Sequence, residues 1–223
     1  RLALDQYRAE DRPFFIWHNF WGPHGPYFTT QECFDIYKDM ELPAWANFDW
    51  AERHANRPHQ VKLHPQADEL DWKAWEVSLR HYYGFATLID KQIGRMLDHL
   101  EATGLADNTI VIFTADHGET LGSHGGLTDT GWHHFEESQR IPCILRVPPS
   151  VARSNQPAGR VRPAWASLTD IYPTVLDFAG HAADPESVHG RSLAPVLAGT
   201  ASNGRDTAFV EFHGVNSLAT NMI

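Results

Sequence analysis

Asp116 and His117 stand side by side at the end of the apolar run "TIVIFTA". Gly118 comes next, and a second His-Gly pair, His124-Gly125, recurs seven residues on. A carboxylate oxygen and an imidazole nitrogen are both good ligands for a divalent cation. Being adjacent, the two need an irregular turn to converge on one ion, and a glycine at 118 can supply it. The competing reading is that Asp116 caps the next helix and His117 packs; the triplet alone does not choose. Two other histidine groups lie in turn-rich surroundings. His24 sits between two Gly-Pro pairs in "WGPHGPY", and His133 and His134 are consecutive in "GWHHFEE".

These residues need elements to position them. "PFFIW" is an apolar run that reads as a buried strand entering the Gly-Pro loop of His24. From Trp72 to Leu100 the residues Trp75, Leu79, Tyr82, Ala86, Ile89, Ile93, Met96 and Leu100 recur at spacings of three and four, which predicts a long helix. Asp71 is its expected N-cap and Gly104 its expected stop. "TIVIFTA" is apolar throughout rather than alternating, the pattern of a strand covered on both faces. "IPCILRV" and "RDTAFVEF" predict two further strands. "SLTDIYPTVLDFAG" predicts a helix capped by Ser167 or Thr169 and ended by Gly180. Residues 28–70 read as an irregular insertion with short helices, in which Trp45 and Trp50 are candidates for substrate contact. Residues 181–205 read as a surface loop region. Strands alternating with helices predict an α/β fold with helices on both faces of the sheet. A ligand site in such a fold lies beyond the carboxyl ends of the strands, where Asp116 and His117 fall.

Composition bounds the function. The 223 residues are 42% hydrophobic, enough for a sizeable core, and the absence of a long low-complexity segment predicts a globular protein. The net charge of −10 without a basic run argues against nucleic acid as a partner. No apolar run is long enough to span a bilayer. Cys33 and Cys143 are expected to be ordinary thiols. The sequence shows no signal peptide and no initiator Met, and we expect both ends to be cut, which leaves the compartment open.

The stretch "NTIVIFTADHGETLGSHGGLTDTGWHHFEESQRIPCILRVP" resembles the sulfatase family of the alkaline-phosphatase superfamily. The family pattern appears here as Thr114-Ala115-Asp116-His117-Gly118, Leu121-Gly122-Ser123-His124-Gly125, Phe135-Glu136-Glu137 and Arg140-Ile141-Pro142. "PFFIWHNFWGPHGPY", "SLTDIYPTVLDFAG" and "VHGRSLAPVLAG" resemble further family segments, so that the likeness covers most of residues 12–213, with 28–70 unmatched. The resemblance implies an alkaline-phosphatase-like α/β domain that hydrolyses sulfate esters. It implies a divalent cation, calcium first, with manganese, magnesium or zinc as the other candidates. Asp116 and His117 would be metal ligands. His24 would be catalytic and touch the sulfuryl or phosphoryl oxygens of a small anionic ester. An oligomer remains compatible with everything above.

Two departures from the family pattern matter. The nucleophile is a formylglycine made within Cys/Ser-x-Pro/Ala-x-Arg. Cys33 begins "CFDIY", Cys143 begins "CILRV", and "SVARS" at Ser150 has its arginine one position too early. The resemblance therefore implies that the nucleophile and the acidic pair completing the metal site belong to a portion preceding "PFFIWHNF". Thr130 stands where relatives often carry a substrate-binding lysine; Thr130, His133 and His124 are thus retained as substrate-contact candidates, with His124 also able to order the turn after Gly122. The alternatives are a phosphodiesterase or phosphonate monoester hydrolase of the same superfamily, and a non-catalytic fragment that binds metal or a partner.

Overall fold

The computed structural model describes residues 2–10, 12–48, 70–127, 134–152, 164–201, 205–213 and 219–221. The chain divides into two compact units, Arg1–Leu105 with His117–Ser138, and Ala106–Asp116 with Gln139–Ile223.

The first unit contains α1 (Leu2–Ala9), α2 (Gln31–Asp35) and α3 (Trp72–Ala102). Asp71 caps α3 by accepting from the Ala74 N–H at 3.0 Å, and the chain leaves the helix through Gly104 at φ +74°. Both ends agree with the sequence reading. The inward stripe buries Trp75, Leu79 and Leu100. Segment 36–48 is strapped along α3 by directional bonds: Trp72 Nε1 donates to Leu42 O at 2.6 Å, Glu76 accepts the Leu42 N–H at 3.0 Å, and Arg80 Nη2 donates to Met40 O at 2.8 Å. Phe48, almost fully buried, meets the Trp72 ring edge-on with centroids 5.0 Å apart. Helix α1 is tied to α3 by Asp5 and His99 at 3.0 Å.

The run Phe14–Trp17 is a departure from the sequence reading. It forms no strand, and Phe15 and Trp17 are 69% and 66% exposed. An apolar run marks a segment that can be buried, but a strand also needs a neighbour to pair with its backbone, and among the described residues this segment has none.

The same unit holds two short turns of helix, α4 (Ser123–Gly126) and α5 (Glu136–Gln139), whose last residue passes into the second unit. α4 is kinked, with His124 at φ 52°, ψ 45° and Gly125 at φ 79°.

The second unit is built on β1 (Val111–Thr114) and β2 (Cys143–Arg146), which pair antiparallel with Ile112 opposite Leu145 and Phe113 opposite Ile144. The apolar run around β1 predicts cover on both faces, yet Phe113 and Ile144 are 40% and 60% exposed, so one face of this pair is open. α6 (Ile171–Phe178) follows a 3₁₀ turn capped by Ser167, and Gly180 at φ +80° ends it, as the sequence predicts. Within 181–205, α7 (Ala194–Ala198) buries Ala194 and Val196, and Leu193 before it is buried too. β3 (Glu211–His213) pairs antiparallel with β4 (Ala219–Asn221).

Asp170 organises the second unit. Its side chain is fully buried. It accepts from the Ser167 N–H at 2.9 Å, the Arg191 N–H at 2.7 Å and Arg205 Nε at 2.9 Å, with Arg205 Nη2 completing a bidentate pair. Thr174 extends the network, donating to Asp170 O at 2.6 Å and accepting the Leu193 N–H at 2.9 Å. Burial works against the Asp170 charge, but the bonds from Arg205, Arg191 and Ser167 outweigh it and hold the carboxyl below its ordinary value.

Candidate functional site

Asp116 is the last residue of the second unit's first segment, two residues beyond β1, and its side chain is exposed. His117 opens the return into the first unit and is half-buried. Its Nδ1 lies 2.8 Å from Gly118 O. A carbonyl only accepts, so Nδ1 carries the proton. Metal-bound histidines are commonly oriented this way, by a hydrogen bond from the other ring nitrogen.

The neighbouring backbone explains the glycine. Gly118 N–H donates to Ser138 O at 2.8 Å, and a Cβ at 118 would lie 1.9 Å from Glu137 O. The sequence reading sought an unusual turn here. The operative constraint is the close approach of the Glu137 backbone, which only a residue without a side chain permits.

His24 is exposed in its loop, and its Nδ1 lies 2.6 Å from Gly25 O. The same reasoning puts a proton on Nδ1 and points Nε2 away from the loop backbone. The loop is seated against α3: a Cβ on Gly22 would come within 2.2 Å of the Phe85 ring, and the Trp21 ring packs 6.4 Å from Phe85 and 5.9 Å from His24.

A second set of side chains was not singled out by the sequence. Tyr27, three residues past His24, meets Tyr82 of α3 edge-on with centroids 5.4 Å apart. Burial raises both phenol pKa values, and the charge of Glu119, two residues past His117, raises them further. The loop of His24 is therefore packed on α3 through Tyr27 and Tyr82, with Glu119 close enough to act on both phenols electrostatically. Helical spacing marks Tyr82 as a core residue; nothing in the sequence brings Glu119 to it.

His124 has protein partners. Its Nε2 lies 3.1 Å from a Glu137 carboxylate oxygen, and its ring stacks on Phe135 with centroids 3.8 Å apart. Burial opposes the charge of Glu137, but hydrogen bonds from its own N–H and from His124 prevail and lower its pKa. Trp45 is likewise engaged, donating from Nε1 to Leu121 O at 2.9 Å. Thr130, His133 and Trp50 lie outside the described residues. Both cysteines are free thiols, Cys33 buried and Cys143 exposed, and the Ser150 hydroxyl donates to Asp107 O at 2.5 Å. Among the described residues no group of three or more His, Cys, Asp or Glu is placed to hold a metal ion.

The family model described as Sulfatase matches residues 2–181. The chain belongs to the sulfatase family. This sulfatase-family chain is 34% identical over 222 residues to an arylsulfatase of Clostridium perfringens, covering 97% of the chain and 44% of that protein. It is 32% identical over 190 residues to an N-acetylglucosamine-6-O-sulfatase of Bacteroides thetaiotaomicron, covering 83% of the chain and 32% of that protein. Among solved structures it is similar to the phosphonate monoester hydrolase of Agrobacterium radiobacter, with a TM-score of 0.70 and 26% identity over 96% of the chain and 45% of the other. A sulfatase of Bacteroides fragilis gives a TM-score of 0.66 at 25% identity. The fold is α/β of the alkaline-phosphatase-like type. The chain spans less than half the length of these relatives.

Proposed function

We propose that this chain forms part of a divalent-cation-dependent hydrolase of sulfate esters, with Asp116 and His117 as two metal ligands and His24 as the substrate-contacting residue. Similarity to an arylsulfatase along 97% of the chain supports the sulfate-ester reading. The single observation that carries the metal assignment is that His117, its ring oriented by the Nδ1–H bond to Gly118 O, directly follows a carboxylate in sequence.

The donor set suits a hard or borderline divalent ion, and calcium, manganese, magnesium or zinc fits an oxygen-plus-imidazole pair. When bound, such an ion neutralises charge on the non-bridging oxygens of the ester. The remaining donors and the nucleophile would come from outside the described residues; a formylglycine hydrate there would attack sulfur as the S–O bond to the alcohol breaks, and cleavage of its own C–O bond would then release sulfate and regenerate the aldehyde. His24 acts on the other side of this chemistry. With Nδ1–H held by Gly25 O, donation from Nε2 requires the imidazolium form, whose second N–H can bond an anionic oxygen or protonate a leaving oxygen. Thr130 and His133 remain proposed contacts to the anionic group, and His124 a proposed contact that would have to leave Glu137.

A second reading is favoured by the structural likeness to phosphonate monoester hydrolases, with TM-scores of 0.70 and 0.65. Sulfate and phosphonate esters are both tetrahedral and anionic, and the residues above serve either. Paired assays of an aryl sulfate and an aryl phosphonate monoester, using the protein that carries this chain, separate them. Faster turnover of the sulfate supports the first reading, and a preference for the phosphonate replaces it with the second.

A further inference from the structure

Among the described residues only two non-glycines have a positive φ, Leu121 at 48° and His124 at 52°, and both lie in the turn that follows His117. Gly122, Gly125 and Gly126 share this left-handed backbone, at φ +90°, +79° and +85°. Glycine adopts it freely, whereas a residue with a Cβ does so at a cost. A histidine kept there amid glycines points to a use for its side chain.

The His124 ring is spent on one neighbouring segment, α5 and the residue before it. It stacks on Phe135 with centroids 3.8 Å apart and planes at 12°, and its Nε2 donates to Glu137 Oε2 at 3.1 Å. The turn is anchored on another side as well, where the Gly125 N–H donates to Asn47 O at 2.9 Å and Trp45 Nε1 to Leu121 O at 2.9 Å. His124 is thus a link between a fixed turn and α5.

The same segment holds His117. The Gly118 N–H donates to Ser138 O at 2.8 Å, and Gly118 O accepts the His117 Nδ1–H at 2.8 Å. Gly118 therefore relays the position of α5 to the imidazole. The contact has no slack, since a Cβ at 118 would lie 1.9 Å from Glu137 O. A shift of α5 passes on to the His117 ring instead of being absorbed.

We propose that His124 is a positioning residue for His117, acting through Glu137. The proposal rests on the reading of His117 as a metal ligand. Groups that orient a metal-binding histidine from behind govern metal affinity by about 10–100-fold, and His124 supplies that support at one remove. This role keeps the bond to Glu137, whereas direct contact of His124 with the ester breaks it.

Manganese titration of the protein that carries this chain, followed by isothermal calorimetry, tests the proposal. His124→Gly removes the ring but suits the left-handed backbone, so the relief offsets part of the lost packing and the metal-free thermal midpoint stays close to the parent. Manganese affinity nonetheless falls by about tenfold. His124→Gln, which can still donate to Glu137, recovers part of that loss. Glu137→Ala cuts the same link with the turn untouched and gives a similar loss, and the double variant His124→Gly, Glu137→Ala is no weaker than the weaker single. Unchanged affinity in Glu137→Ala, or losses that add in the double variant, overturns the proposal. So does a raised KM in His124→Gly with manganese affinity unchanged, which would place His124 on the ester. Asp116→Asn separates the two levels. If it leaves manganese affinity unchanged, the metal reading fails and this inference with it; if it weakens binding while Glu137→Ala does not, this inference alone fails.

Discussion

His117 and His24 use one device at different places in the chain. Each donates its Nδ1–H to the carbonyl of the following glycine, at 2.8 Å and 2.6 Å, which fixes the tautomer of the neutral ring. Under the proposed roles the two rings face opposite demands: with Nδ1–H already engaged, a ligand must be neutral, whereas a donor to an oxyanion must be charged. Replacing Asp116 by Asn removes the anionic donor and should lower divalent-ion occupancy in elemental analysis; unchanged occupancy rejects Asp116 as a ligand. Gly118→Ala should destabilise the fold by about 1–3 kcal/mol in urea titrations, because the new methyl meets the Glu137 carbonyl at 1.9 Å. Asp116 and His117 stood out in the sequence because a carboxylate and an imidazole side by side at a strand end are the residue types that metal chemistry uses, and their role as ligands stands as the proposal above. The importance of Gly118 was legible too, but not its reason, since a backbone packing against it from nineteen residues away leaves no local trace.

Among the elements, α3 and the capped turn into α6 read well from sequence, as their signals are local: an apolar stripe, Asp71, Ser167 and a terminal glycine. Phe14–Trp17 misled because apolarity reports burial potential and not pairing. The Asp170 network was also hidden, since its partners Arg191 and Arg205 follow at 21 and 35 residues' distance. Its consequence is measurable. Asp170→Ala leaves the Arg205 guanidinium without its buried partner and should cost about 3 kcal/mol or more. The Asp170 pKa is lowered on folding. Its stabilisation is therefore complete above the unfolded value, about 3.9, and is lost as pH falls through the lower folded value. Urea midpoints should drop on acidification over that window in the parent, and less so in Asp170→Asn.

On the scale of the whole molecule, two compact units carry different halves of the account. The first holds His24, His117 and the part-buried phenols of Tyr27 and Tyr82; the second holds Asp116 and the Asp170 network. Both phenol pKa values are raised on folding. The unfolded chain ionises near pH 10 while the folded one keeps these protons, so stability present below that pH should decline above it. Chemical denaturation at pH 9 and pH 11 should show the decline, and a Tyr27→Phe, Tyr82→Phe double variant should reduce it. Family membership was readable from motifs spread along the chain. Substrate choice was not, because it rests on loops and on contacts from outside a chain that spans under half the length of its relatives. The most direct measurement is therefore alcohol release from an aryl sulfate by the protein that carries this chain, compared with its Asp116→Asn variant. The account predicts cation-dependent turnover that falls by several orders of magnitude in the variant. Turnover that survives Asp116→Asn, or is indifferent to chelation of divalent ions, contradicts it.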